Sequence, residues 1–194
     1  MCLNLRSIIL PNSVTKIGDL CFAYCYNLMN IILSTSLKEI GDSCFHNCSK
    51  LVNIILPNSV TKIDNNCFNG CEKLKNITLS TSLKEISECC FAICSKLRNI
   101  ILPNSVTKIN ARCFINCEKL KNITLSTSLK EIGDSCFIFC DHLETIVLPD
   151  SVTKIDNNCF AYCYNLMNVV IPTNLKEIGN NCFYACSKLK INYI

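Results

Sequence analysis

Cysteine is the residue in this chain best equipped for chemistry. Eighteen occur, and sixteen of them form the motif Cys-Phe-x-x-Cys eight times over, from Cys21 and Cys25 to Cys182 and Cys186. A thiol can attack a carbonyl when a histidine activates it, bridge to a second thiol, or join three others around zinc. His46 lies two residues from Cys48 and is the one candidate partner for a nucleophile, but it occupies a variable slot while the cysteine occupies a repeated one. The first reading is therefore structural: reduced cysteine packs as a small buried hydrophobe. Bridges between neighbouring repeats are the second reading. Zinc held by two adjacent motifs is the third, and it would bury thiolate charge beside Phe22 and Phe45 with nothing to compensate it.

The elements that carry these thiols repeat with a fixed step. Isoleucine recurs at Ile17, Ile40, Ile63, Ile86, Ile109, Ile132, Ile155 and Ile178, every 23 residues. Each unit reads approximately Leu-x-x-Ile-x-Leu-Pro/Ser-x-Ser-Val/Leu-x-x-Ile-x-x-x-Cys-Phe-x-x-Cys. Within it, "NIIL" at Asn30 to Leu33 alternates as a strand with one buried side. A second short strand fits "LKEI" at Leu37 to Ile40. Gly, Asp, Asn or Ser then marks a turn, and the i, i+4 thiols suit one helical turn. No such unit can bury enough surface alone, so neighbouring units must stack.

The pattern resembles the BspA-like leucine-rich repeat, over Cys2 to about Leu189. The resemblance implies a repeat solenoid: a right-handed leucine-rich-repeat coil of about eight 23-residue units with stacked parallel strands and short helical turns. It also implies adhesion or protein interaction and supplies no catalytic residues to carry over. Two departures stand out: all eight Ala/Cys slots hold cysteine, and alternate units replace proline with serine. Residues 1–194 are read as a single domain with incomplete units at both ends.

The true period is two units. Stacking would align Lys16, Glu39, Lys62, Glu85, Lys108, Glu131, Lys154 and Glu177 in one column of alternating charge, which favours register. Duplication of a two-unit block is a compatible origin, since "CFAYCYNLMN" occurs at both Cys21 and Cys159.

Partner binding is expected on the outward side of the first strands, which stacking merges into one sheet. The amide column there includes Asn76, Asn99 and Asn122, with Ile101 in the next column. Lys73, Lys75, Lys96, Arg98, Lys119 and Lys121 form a basic strip from three central units, with Glu72 and Glu118 nearby. An acidic protein surface is the expected partner; nucleic acid is not, because no aromatic residues interleave with these bases and the net charge is only +4. The sequence contains no P-loop, GxGxxG or HExxH motif, so no enzyme, cofactor or metal is predicted.

No stretch has the roughly 18 apolar residues of a membrane span, and the N-terminus lacks the pattern of a secretory signal. A cytoplasmic or membrane-associated location is the first expectation and the cell surface the alternative. The sequons Asn76-Ile-Thr78 and Asn122-Ile-Thr124 would place glycans on the binding sheet of a secreted protein. Both ends lack polar capping units, which predicts either a piece of a longer array or homo-oligomers through the solenoid ends. The closing "LKINYI" places Ile191 out of its column, so the last strand is expected to be slipped or incomplete.

Overall fold

The computed structural model describes residues 2–193, and of 191–193 the backbone alone. Short strands alternate along the chain, from β1 (Ser7–Ile9) and β2 (Lys16–Ile17) through β15 (Asn168–Ile171) and β16 (Glu177–Ile178) to β17 (Lys190–Tyr193). All pairing is parallel, and up to β16 it keeps the 23-residue register: Ile8 lies opposite Ile31, and Ile17 opposite Ile40. Residues one unit apart are therefore neighbours, as the periodicity predicts. The odd-numbered strands form one side of the coil and the even-numbered strands a second.

The alternation within each first strand follows from strand geometry, in which successive side chains face opposite ways. In β5 (Asn53–Ile55), Ile54 is buried while Asn53 and Ile55 are exposed. The inward columns meet in one continuous core that includes Leu28, Leu51, Ile40, Ile63 and the phenylalanines. From Phe22 to Phe183 the rings stack coil upon coil, with centroids 5.2 to 5.6 Å apart.

The Cys-Phe-x-x-Cys segments are not helical, and the described residues contain no helix. Each segment is a pair of turns. The residue before the first cysteine and the third residue after it both adopt positive φ, as at Leu20 (56°) and Tyr24 (60°), and again at Ser43 and Asn47. Left-handed residues at that spacing interrupt an α-helix. The amides turn outward to the next coil instead: Phe22 donates to the Cys44 carbonyl at 2.9 Å and Tyr24 to the His46 carbonyl at 2.7 Å. The phenylalanine carbonyls, which already accept the amide three residues on (Cys25 N to Phe22 O, 3.1 Å), also receive the second thiol column. Cys48 Sγ donates to the Phe22 carbonyl at 3.1 Å, and Cys71, Cys94, Cys117, Cys140, Cys163 and Cys186 repeat the contact.

The two-unit period shows in the backbone pairing as well as in the charges. Among the described strands, β1 pairs with β3 (Asn30–Ile32), β5 with β7 (Asn76–Thr78), and β9 (Asn99–Ile101) with β11 (Asn122–Thr124). The sheet is interrupted between β3 and β5, between β7 and β9, and between β11 and β13 (Thr145–Val147). In the parallel register, the donor to the Leu33 carbonyl would be residue 57, to Leu79 residue 103, and to Leu125 residue 149. All three are proline, which has no N–H. Proline does not by itself break the ladder, because Pro172 stands at the same position and β13 still pairs with β15. Within the first three two-coil blocks the asparagine of the Pro-Asn-Ser corner accepts from the next coil, Thr35 N to Asn12 Oδ1 at 3.1 Å, and likewise Thr81 to Asn58 and Thr127 to Asn104. Lys16–Glu39, Lys108–Glu131 and Lys154–Glu177 also pair inside blocks, at 3.0, 3.2 and 3.8 Å. Lys62 departs from the expected column and pairs with Asp64 at 2.9 Å.

That departure coincides with one break in the second sheet, between β6 (Lys62–Ile63) and β8 (Glu85–Ile86). The even coils otherwise carry glycine at the turn that follows. A Cβ on Gly133 would lie 2.7 Å from the backbone of Ala111, and one on Gly41 2.6 Å from that of Asp19. Ser87 brings a Cβ to this position, and its hydroxyl, rather than its amide, reaches the Ile63 carbonyl. Ser87→Gly is expected to restore the β6–β8 ladder. Amide exchange at residue 87 should slow at least about tenfold while net stability changes by less than about 1 kcal/mol, since one hydrogen bond offsets glycine entropy. Unchanged exchange would show that the break has another cause.

The last strand is slipped by one residue: Val169 pairs with Ile191, 22 positions on, and Asn168 with Lys190.

Candidate functional site

Outward residues of the first strands make one extended face, and stacking sorts them into columns. Asn30, Asn53, Asn76, Asn99 and Asn122 form the amide column, all exposed. Asn76 Nδ2 donates to Asn53 Oδ1 at 2.8 Å, and Asn122 to Asn99 at 2.7 Å. These bonds also respect the two-coil blocks. Beside them runs an apolar column in which Ile9, Ile55 and Ile101 are about 70% exposed, interrupted by Thr78 and Thr124.

The structure brings the predicted basic residues together on the edge of this face. Lys75, Arg98 and Lys121 directly precede strands β7, β9 and β11; Lys73, Lys96 and Lys119 lie two residues earlier. Lys121 meets Glu144 at 3.4 Å, and Lys119 Nζ lies 3.1 Å from His142 Nε2. Among the described residues, Lys73, Lys75, Lys96 and Arg98 pair with no carboxylate, and neither Glu72 nor Glu118 neutralises the strip by direct contact. Lys50, one coil earlier in the Lys73 column, extends the strip and donates to Asn27 Oδ1 at 2.7 Å. Sequence reading missed Lys50, although the 23-residue step from Lys73 points to it.

It also missed two clefts on the sheet face. One, of about 340 Å³, lies between β3 and β5 and is lined by Ile32, Thr35, Ile55 and Pro57. The other, of about 390 Å³, lies between β7 and β9 and is lined by Thr78, Thr81, Ile101 and Pro103. Both sit where the first-strand ladder is interrupted.

The cysteines take no part in this face. Fourteen of the eighteen are buried, and all eighteen thiols are unbridged. Cys48 is directed to a backbone carbonyl, and burial pushes its thiol up to about 12. His46 packs edge-on against Tyr24 at 5.2 Å and accepts from Asn47 Nδ2 at 3.1 Å, and burial lowers its pKa. Cys48 and His46 therefore form no nucleophile–base pair. No group of three or more His, Cys, Asp or Glu among the described residues could hold a metal ion.

The family model for the BspA-type leucine-rich repeat region matches residues 1–102 and 84–194, with six copies. The chain belongs to this family. The BspA-type chain is similar in structure to a leucine-rich repeat protein from Bacteroides ovatus, at 29% identity and TM-score 0.78, covering 99% of this chain and 56% of that one. It is also similar to a leucine-rich cell surface protein from Faecalibacterium prausnitzii (27%, TM-score 0.63, covering 99% and 60%). A leucine-rich repeat protein of T. pallidum aligns at 30% identity and TM-score 0.77, covering 82% of this chain and 77% of that one. The BspA-type chain thus spans less than two thirds of the length of the first two. A search of curated proteins returns no match. No helix among the described residues is long and apolar enough to cross a membrane.

Proposed function

We propose that this chain is a non-enzymatic interaction scaffold that presents the face of its first strands to a protein partner. The observation that carries the reading is the coincidence, on one face, of an exposed isoleucine column with Lys73, Lys75, Lys96 and Arg98, which have no carboxylate partner among the described residues. Apolar area supplies affinity, and the fixed row of charge supplies orientation and partner choice. An acidic protein surface fits best. Tyr24, Tyr26, Tyr162 and Tyr164 lie in clusters away from Lys73–Lys121, so bases of a single-stranded nucleic acid would find no stacking platform among the cations.

A second reading is a cell-surface adhesin or host-contact protein, favoured by the surface description of the Faecalibacterium relative. The two readings differ in location rather than in the face used. Protease accessibility on intact cells separates them.

The test of the face is Lys75→Glu with Arg98→Glu, compared with Lys38→Glu and Lys130→Glu on the second sheet. Partner capture should fall at least about tenfold with the first pair and remain within about twofold with the second. Equal effects of the two pairs would remove the first-strand face as the binding surface.

A further inference from the structure

The break between β6 and β8 leaves polar backbone groups without partners. At the intact junctions of the second sheet the residue before the strand donates to the preceding coil: Lys38 N to the Thr15 carbonyl at 2.8 Å, Lys130 N to Thr107 at 2.8 Å and Lys176 N to Thr153 at 2.9 Å. Between β6 and β8 that bond is missing. Among the described residues the Lys84 N–H has no acceptor and the Thr61 carbonyl has no donor. The Ser87 N–H is also free, whereas its counterparts Gly41 and Gly133 donate to Ile17 and Ile109 at 2.9 and 2.8 Å.

A cleft of about 230 Å³ opens at this junction, lined by Thr61, Lys62, Lys84, Glu85, Thr107 and Lys108. It is several times larger than the ~30 Å³ share of one water. Three ammonium groups and one carboxylate line it, and that carboxylate is engaged elsewhere: Glu85 Oε2 accepts from Asn110 Nδ2 at 3.2 Å. Lys62 and Lys108 pair with carboxylates outside the lining, Asp64 at 2.9 Å and Glu131 at 3.2 Å. Lys84 pairs with none among the described residues.

A ligand that completes this junction must be negative, must accept from the Lys84 N–H and must donate to the Thr61 carbonyl. Carboxylate, chloride and sulfate meet the first two demands only, because they have no proton to donate at neutral pH. Inorganic phosphate meets all three: its P–O⁻ oxygens accept and its P–OH donates. A phosphomonoester, with a second pKa of about 6, is mostly a dianion at neutral pH and has lost that hydroxyl.

We propose that the β6–β8 junction is a binding site for inorganic phosphate, which takes the place of the missing rung. The P–OH donates to the Thr61 carbonyl. The charged oxygens accept from the Lys84 N–H and meet the ammonium groups of Lys84, Lys62 and Lys108, bonds strengthened by charge. Bound phosphate ties two coils together where the ladder does not. The site lies on the second sheet, and its standing does not depend on what the first-strand face binds.

The test uses the intact, reduced, ¹⁵N-labelled chain titrated with sodium phosphate, sodium sulfate or phosphoserine at fixed ionic strength. The Lys84 amide resonance should shift saturably with phosphate, while those of Lys38 and Lys130 stay nearly still. Phosphate should bind at least about fivefold more tightly than sulfate or phosphoserine. Ser87→Gly, which changes no charge and is expected to close the cleft, should weaken phosphate binding at least about tenfold. Lys84→Gln should weaken it at least about fivefold, and Lys38→Gln should leave it within about twofold.

Unsaturable shifts of similar size at Lys38, Lys84 and Lys130 would reduce the effect to a diffuse ion atmosphere and overturn the proposal. Sulfate binding as tightly as phosphate would remove the role of the Thr61 carbonyl and with it the assignment to phosphate. Tighter binding of phosphoserine would overturn the free ion in favour of a phosphorylated ligand. Undiminished binding by Ser87→Gly with slowed exchange at residue 87 would place the ion elsewhere. Should exchange there stay fast, the cleft is still open and Lys84→Gln decides: undiminished binding by that variant overturns the proposal.

Discussion

Raising the pH of the reduced protein from 8 to 10 should unfold it cooperatively. Fourteen of its thiols are buried, and burial raises the pKa of all of these except Cys182, whose hydrogen bond with Cys159 lowers it. A thiol whose folded pKa lies above its unfolded value stabilises the fold fully below the unfolded pKa. That contribution is lost as pH rises from there towards the folded pKa. The unfolded value is about 8.5, and each such thiol removes about 1.4 kcal/mol per pH unit above it. About a dozen acting together exceed the whole 5–15 kcal/mol of an ordinary domain within roughly one unit.

The measurement is a pH titration that follows thiolate absorbance and the β-sheet circular dichroism signal together. Both should change in one transition between about pH 8.5 and 10, because the thiols ionise only when the coil opens. Thiolate appearing gradually while the sheet signal persists would show that the column is accessible. Replacing Cys71, Cys94 and Cys117 by alanine should make the loss of stability with pH shallower by about 4 kcal/mol per unit and the transition release fewer protons, provided the triple variant is folded at pH 7. It should also lower stability at neutral pH, because each substitution deletes a buried group and leaves the carbonyl of Phe45, Phe68 or Phe91 without its thiol donor.

Much of this architecture was legible because stacking converts sequence spacing into contact. A period of 23 with one inward isoleucine fixed the register of Ile17, Ile40 and Ile63 before any coordinates. The Lys73–Lys121 strip was legible for the same reason: side chains at equivalent positions must lie on the same edge. The Cys-Phe-x-x-Cys turns were misread as helical because i, i+4 spacing is also produced by two successive turns. Only the backbone sign at residues such as Leu20 and Asn47 distinguishes them. That information is weak in sequence, since Leu20, Tyr24 and Phe139 are not residues that favour positive φ. The clefts were missed for a different reason. Proline alternation was visible, but proline does not mark the interruptions by itself, since β13 and β15 pair across Pro172; which coils pair follows only from the folded backbone.

Phe91→Ala should separate the unfolding of the solenoid into two steps. Phe91 is fully buried, and its ring stacks on Phe68 at 5.6 Å and on Phe114 at 5.5 Å. Truncation of a buried phenylalanine costs about 3–5 kcal/mol, and part of this loss falls on the interfaces with both neighbouring coils. Solenoid stability is approximately a sum over coils and their interfaces, so the position of the damage matters as much as its size. Coil four already lacks the β6–β8 ladder, which leaves the Phe column among the few continuous links across that junction. In urea, amides of β10 (Lys108–Ile109), β12 (Glu131–Ile132) and β14 (Lys154–Ile155) should remain protected at concentrations where β4 (Glu39–Ile40) and β6 have exchanged. The same substitution at Phe137, where β10, β12 and β14 are paired without interruption, should lower stability by a similar amount and keep one transition. A single transition for Phe91→Ala, merely shifted, would mean that the first-strand sheet and the leucine columns alone couple the two halves.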